Sequence, residues 1–152
     1  MKKQLTIALV AHDNRKADMV EWAVHNADML SIHKLVCTGT TGSLIRKAFQ
    51  EKGIEADITC MNSGPLGGDA EIAAMVVRKE VNLAIFLIDD LNAQPHEADI
   101  QMLLRQCRVH NVPIACNRYS ADLMITSNLW DDESYVPMAP KYEKFERTII
   151  KA

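Results

Sequence analysis

Short aliphatic runs alternate along the chain with longer stretches whose apolar residues recur every three or four positions. The runs Leu5–Ala11, His33–Cys37, Asp57–Cys60, Asn82–Ile88 and Pro113–Cys116 predict five strands. Helices are predicted between and after them, near Lys16–Leu30, Thr41–Lys52, Asp69–Lys79, Asp99–His110 and Ser120–Ser127. Leu83-Ala84-Ile85-Phe86-Leu87-Ile88 is apolar at every position, as a strand covered on both faces must be. In Asp69–Lys79, the residues Ile72, Met75, Val76 and Lys79 fall on neighbouring turns, giving one apolar side and one wet end. This alternation with short connections predicts an α/β fold, a mainly parallel sheet with helices on both faces. Pro137 and Pro140 punctuate the stretch after Trp130, and Lys141–Lys151 reads as a final helix with Tyr142, Phe145 and Ile149 inward. Without linker, repeat or low-complexity segment, residues 1–152 read as a single domain.

Composition narrows the class. At 152 residues, with 48% hydrophobic and 24% charged residues, the chain reads as an ordinary globular domain. A net charge of −3 gives no basic field for nucleic acid or an anionic membrane, so a bound anion must be held by local geometry. No apolar run approaches the ~18 residues of a membrane span. Met1-Lys2-Lys3-Gln4 ahead of Leu5–Ala11 looks like a secretory leader, but His12-Asp13-Asn14 follows without a small-residue cleavage site. The run is therefore read as the first strand. Cys37, Cys60, Cys107 and Cys116 form no CxxC pair and are expected as buried thiols, which points to a reducing, cytoplasmic setting.

Ligands of open α/β sheets bind beyond the carboxyl ends of the strands, so the segment after each strand carries the candidate chemistry. Five of the six glycines lie in two of these loops, Thr38–Gly42 and Ser63–Asp69. Thr38-Gly39-Thr40-Thr41 opens a helix whose first N–H groups lack partners and whose dipole favours negative charge. The three hydroxyls serve either to cap that helix or to hold a phosphate. Ser63-Gly64 repeats the feature before a second helix, and Lys16 in the first loop supplies a charge, which together favour phosphate. Neither a Walker loop nor a GxGxxG pattern is present, so a nucleoside triphosphate or dinucleotide is not indicated.

Asp69 behind Gly67-Gly68 suits either a helix cap or a catalytic carboxylate. His12 ends a buried strand, where a polar side chain needs a partner, and His96 beside Pro95 lies in a polar loop. His25, His33 and His110 are read as surface residues. His12 with Asp13, or His96 with Asp99, lacks metal-ligand spacing, and no metal site is expected.

The segments AHDNRK, TGTTG, SGPLGGD and DDLNAQPHEAD, in this order after successive strands, resemble the loops of methylglyoxal synthases. The resemblance runs from Leu5 to Asn117 and carries little beyond Trp130. It implies a Rossmann-like or flavodoxin-like doubly wound domain, without cofactor, assembled as a homohexamer. It implies a lyase that converts dihydroxyacetone phosphate into methylglyoxal and inorganic phosphate, with phosphate also an inhibitor. Position by position, it places phosphate on Lys16, Thr38, Gly39, Thr40, Thr41, Ser63 and Gly64. It makes Asp69 the catalytic base, puts His12 and His96 on the substrate, and adds Asp99 to the same site. In that chemistry His96, ahead of His12, is expected to donate to the carbonyl oxygen as charge develops there. The family tends to carry prolines where this chain has Asp90 and Ala98, which leaves a looser loop here. The alternative is a non-catalytic, phosphate-effector-binding module like that of carbamoyl-phosphate synthetase, for which Asp69 and His96 would be incidental. A flavin carrier is disfavoured by 5% aromatic residues and none in the site loops.

Overall fold

The computed structural model of the chain describes residues 3–138 and 140–142. Five parallel strands form one sheet: β1 (Thr6–Ala11), β2 (Lys34–Cys37), β3 (Asp57–Cys60), β4 (Leu83–Leu87) and β5 (Ile114–Ala115). Their spatial order is β3-β2-β1-β4-β5. β1 lies at the centre, with Leu9 opposite both Cys37 of β2 and Ile85 of β4. The helices are α1 (Lys16–His25), α2 (Ala27–Leu30), α3 (Gly39–Glu51), α4 (Gly68–Val77), α5 (Glu97–Val109) and α6 (Arg118–Thr126). This is the expected α/β, doubly wound architecture.

Alternation along β1 divides the interior into two layers. Ile7, Leu9 and Ala11 pack with Met19 and Trp22 of α1, Ile45 and Phe49 of α3, and Ile125 of α6. Ala8 and Val10 point the other way, onto Ile72 and Val76 of α4 and Ile100 and Leu103 of α5. Each large aliphatic side chain taken out of water contributes roughly 1.5–3 kcal/mol, so a one-residue slip of β1 would forfeit both layers. The same alternation puts His12, the next residue, on the Val10 side, where its ring meets Phe86 edge-on at 5.2 Å.

Several sequence expectations change in detail. The single helix expected over Lys16–Leu30 breaks at Asn26, whose side-chain amide donates to the Trp22 carbonyl at 2.9 Å and competes with the helical ladder. His33 is buried rather than on the surface. It accepts the Leu5 N–H on Nδ1 at 2.9 Å and meets Trp130 edge-on at 5.0 Å, which ties the segment after α6 to the start of β2. Cys37 and Cys107 are buried as expected, whereas Cys60 is half-buried on the edge strand β3 and Cys116 is exposed; all four are free thiols. The proposed last helix falls, beyond Tyr142, outside the described residues. Among those residues no helix is long and apolar enough to cross a membrane.

Candidate active site

The strand order reverses between β1 and β4, so the loops after them diverge and a crevice opens beyond their carboxyl ends. His12 stands at the end of β1 and Asp89 just past β4, so the sheet itself delivers them to this crevice. The Asp89 N–H donates to His12 Nδ1 at 2.9 Å. A ring nitrogen that accepts must be unprotonated, so His12 carries its proton on Nε2. That Nε2 is buried and has no hydrogen-bond partner among the described residues. Burial first, then the neighbouring His96 and Lys16, lowers the His12 pKa and keeps the ring neutral. Asp89 is in turn held by Asn92 at 2.8 Å and Asn14 at 3.0 Å on one oxygen, and by the Leu91 N–H at 3.1 Å on the other. Those bonds, Asn92 foremost, keep its carboxyl below the usual carboxylate range.

Asp69 and His96 meet across the crevice, with Asp69 Oδ2 3.5 Å from His96 Nε2. Asp69 is fully buried, and neither of its oxygens has a hydrogen bond among the described residues. It does not cap its helix. Gly67 is the N-cap of α4, in a left-handed conformation at φ 105° that only glycine adopts without strain, and Asp69 is the second residue of α4. Burial above all raises the Asp69 pKa, with Asp99 adding to the rise and His96 and Lys16 opposing it. The His12 and His96 rings are 5.6 Å apart and nearly perpendicular. Gly64 allows this packing, because a Cβ there would stand 2.9 Å from His96 Nε2 and 3.2 Å from Asp69 Oδ1.

The anion side of the crevice is built from Lys16 and the start of α3. Lys16 Nζ donates to the Ala11 carbonyl and to Asp13 Oδ1, both at 2.9 Å. Thr38 is the N-cap of α3, yet its side chain makes no capping bond. The Thr41 hydroxyl is buried without a hydrogen-bond partner among the described residues. Donors left idle at a helix start are what an arriving phosphate requires.

His12, Lys16, Thr38, Gly64, Asp69 and His96 thus line one cleft. Thr41 is buried in the first turn of α3, and Gly39 packs close to the backbone of Met61 and Ser63. Thr40 is exposed, Ser63 is the half-buried cap of the short 3-10 turn Gly64–Leu66, and none of these four residues lines the cleft. Asp99 is half-buried in the first turn of α5, away from the cleft wall, and bears on Asp69 through its charge. Sequence reasoning missed Asp89 and Gln94. The requirement that a polar residue ending a buried strand find a partner, already applied to His12, extends to Asp89 just after β4. A larger cavity of about 880 Å³ opens at the other end of the sheet, with a mixed wall that includes Lys3, Lys79, Arg108, His110 and Asn111 beside apolar residues, and none of the strand-end loop residues reaches it.

The chain is similar to known proteins along nearly its whole length. The MGS-like domain family matches residues 18–116. The methylglyoxal synthase of Treponema socranskii is 71% identical over 97% of this chain and 93% of its own. That of Coxiella burnetii (strain RSA 493 / Nine Mile phase I) is 44% identical over 95% of this chain and 96% of its own. The crystal structure of methylglyoxal synthase from Elizabethkingia anophelis NUHP1 superposes with a TM-score of 0.84 at 37% identity, covering 97% of this chain and 93% of the other. With relatives this similar over this extent, the chain belongs to the methylglyoxal synthase family.

Proposed function

We propose that the protein converts dihydroxyacetone phosphate into methylglyoxal and inorganic phosphate. The observation that carries this reading is Asp69, a fully buried carboxylate without a hydrogen bond among the described residues, beside His96 and across the cleft from Lys16. A carboxylate kept short of donors is a stronger base than a solvated one. A module that only held phosphate would have no use for it.

In this mechanism the phosphate rests on Lys16, the start of α3 at Thr38–Thr41, and the Ser63-Gly64 turn. Asp69 takes a proton from the hydroxymethyl carbon, the bonding pair forms a C=C bond, and charge moves onto the carbonyl oxygen. What supports His12 as donor to that oxygen is its fixed Nε2–H, buried and otherwise unused. His96, close to Asp69, bears on the same oxygen and on the carboxylate, and the Asp99 charge keeps the Asp69 carboxylate basic. Loss of the terminal hydroxyl proton then forms the aldehyde and shifts the double bond toward the phosphate-bearing carbon. Phosphate leaves with its C–O bonding pair and takes up the proton held by Asp69, which restores the carboxylate. The carbonyl oxygen takes up one proton as the hydroxyl gives one up, and the resulting enol ketonises to methylglyoxal.

We take residues 1–152 as one such domain, working without cofactor in the cytoplasm as a homohexamer. Sedimentation checks the last point. The reaction is tested with purified protein and dihydroxyacetone phosphate, measuring released phosphate and trapping methylglyoxal with a diamine. Equal amounts of both are expected, and the absence of either overturns the reading.

A further inference from the structure

Resting on the lyase reading above, we propose that Gln94 is a specificity residue whose side-chain oxygen accepts a hydrogen bond from the substrate's free hydroxyl. Gln94 precedes Pro95, which holds its backbone extended. Pro95 and His96 then turn into α5, with Gln94 half-buried, Pro95 exposed and His96 buried. Gln94 and His96 both line the cleft, with Asp69 and Lys16.

The Gln94 amide nitrogen is engaged, donating to the Asn92 carbonyl at 3.2 Å, and this fixes which end of the amide is oxygen. The oxygen makes no hydrogen bond among the described residues. The cleft thus holds a neutral acceptor that the mechanism does not use. Dihydroxyacetone phosphate bound as a dianion has one donor, the hydroxyl on the carbon that loses its proton. Asp69 must face that carbon, Lys16 presents only donors, His12 and His96 serve the carbonyl oxygen and Asp69, and Asp13 is a charged group paired with Lys16, so among these side chains Gln94 is the neutral acceptor left for the hydroxyl. Holding that O–H also orients the oxygen that becomes the aldehyde.

The test compares wild type, Gln94→Leu and Gln94→Glu on three ligands. These are dihydroxyacetone phosphate, its deoxy analogue hydroxyacetone phosphate as an inhibitor, and inorganic phosphate. Losing one neutral hydrogen bond should lower kcat/KM for the substrate about tenfold in Gln94→Leu. The inhibition constants of the deoxy analogue and of phosphate should stay within about twofold, because neither ligand offers that donor. Gln94→Glu keeps an acceptor and should keep the preference for substrate over the deoxy analogue. An unchanged kcat/KM in Gln94→Leu overturns the proposal, and so does a parallel weakening of all three ligands, which would mean a displaced loop. If wild type itself releases no phosphate, the lyase reading fails. Calorimetric binding of substrate and deoxy analogue to wild type and Gln94→Leu then decides the hydroxyl contact by the same ratio.

Discussion

His12 takes the backbone N–H of Asp89 on Nδ1 at 2.9 Å, and that bond leaves its Nε2–H buried with nothing to donate to among the described residues. The partner is a backbone group, so it cannot rotate away. Asn14, Asn92 and the Leu91 N–H pin the Asp89 carboxylate and so the peptide that makes the bond. A donor arranged in this way needs no reorganisation when charge develops on a carbonyl oxygen.

His12→Phe should therefore fold and lose about 10²–10³-fold in kcat, the usual cost of removing one donor to a developing oxyanion. Nitrogen-15 NMR of wild type should report His12 with its proton on Nε2 and neutral as pH is lowered through 6.5, since burial lowers its pKa. By linkage, a His held neutral in the fold costs stability as pH falls below its unfolded value. A His12 ring that is already charged at pH 6.5 would contradict the assignment.

Gly64 and Gly68 offer a paired test of site against fold. In Gly64→Ala the new Cβ meets the end of the His96 side chain at 2.9 Å, which can swing aside, so the protein should fold with the Asp69–His96 pair displaced. A displacement near 1 Å costs about 10²-fold in rate. In Gly68→Ala the Cβ runs into the Asn62 carbonyl oxygen, a backbone atom that cannot yield, so melting temperature should fall sharply. Thermal melts and kcat on the two variants separate the cases.

The period-two and helical apolar patterns made the layering of the sheet legible, because one register alone buries Ile7 and Leu9 on one face and Ala8 and Val10 on the other. Glycine and hydroxyl clustering after the strands pointed to loops of which Thr38 and Gly64 line the cleft. What stayed hidden depends on side-chain direction. His33 is polar in sequence, yet the Leu5 N–H gives it a buried partner, and no local pattern announces a bond 28 residues away. Asp69 suits a helix cap as well as a catalytic carboxylate until Gly67 is seen in the cap position with a left-handed backbone. Thr40 shares a motif with Thr41, yet the helical turn points one hydroxyl outward and buries the other.

Lys16 faces competition for the phosphate from Asp13, but that carboxylate has 98% of its side chain exposed. Such an ion pair is worth ~1 kcal/mol or less, so an incoming phosphate displaces it readily. Lys16→Met keeps the stem and removes the charge. It should raise KM by roughly ten- to a hundredfold, as expected for a hydrogen bond to a charged group, with little effect on the melt. Inorganic phosphate should compete with substrate in wild type and do so more weakly in this variant by a similar factor. Unchanged KM and phosphate inhibition would remove Lys16 from the anion site.

Asp69 gives the sharpest contrast between stability and activity. Its carboxylate is fully buried without a hydrogen bond among the described residues, and burial raises its pKa. The sign follows: a carboxyl whose folded pKa is raised binds protons more readily in the fold than in the unfolded chain. Its ionised form therefore costs stability at neutral pH, and the cost is relieved as pH falls through the folded value. Asp69→Asn removes that charge, so the variant should melt at or slightly above wild type. The amide cannot take the carbon proton, and loss of a positioned base costs about 10²–10⁴-fold in rate. Wild-type kcat/KM should rise with pH through a limb above the usual carboxylate range, as Asp69 ionises, and the variant should lack that limb. Phosphate should still bind to Asp69→Asn. Full activity there, with the melt unchanged, would remove Asp69 as the base; a large drop in melting temperature would mean that the buried carboxylate holds the fold together after all.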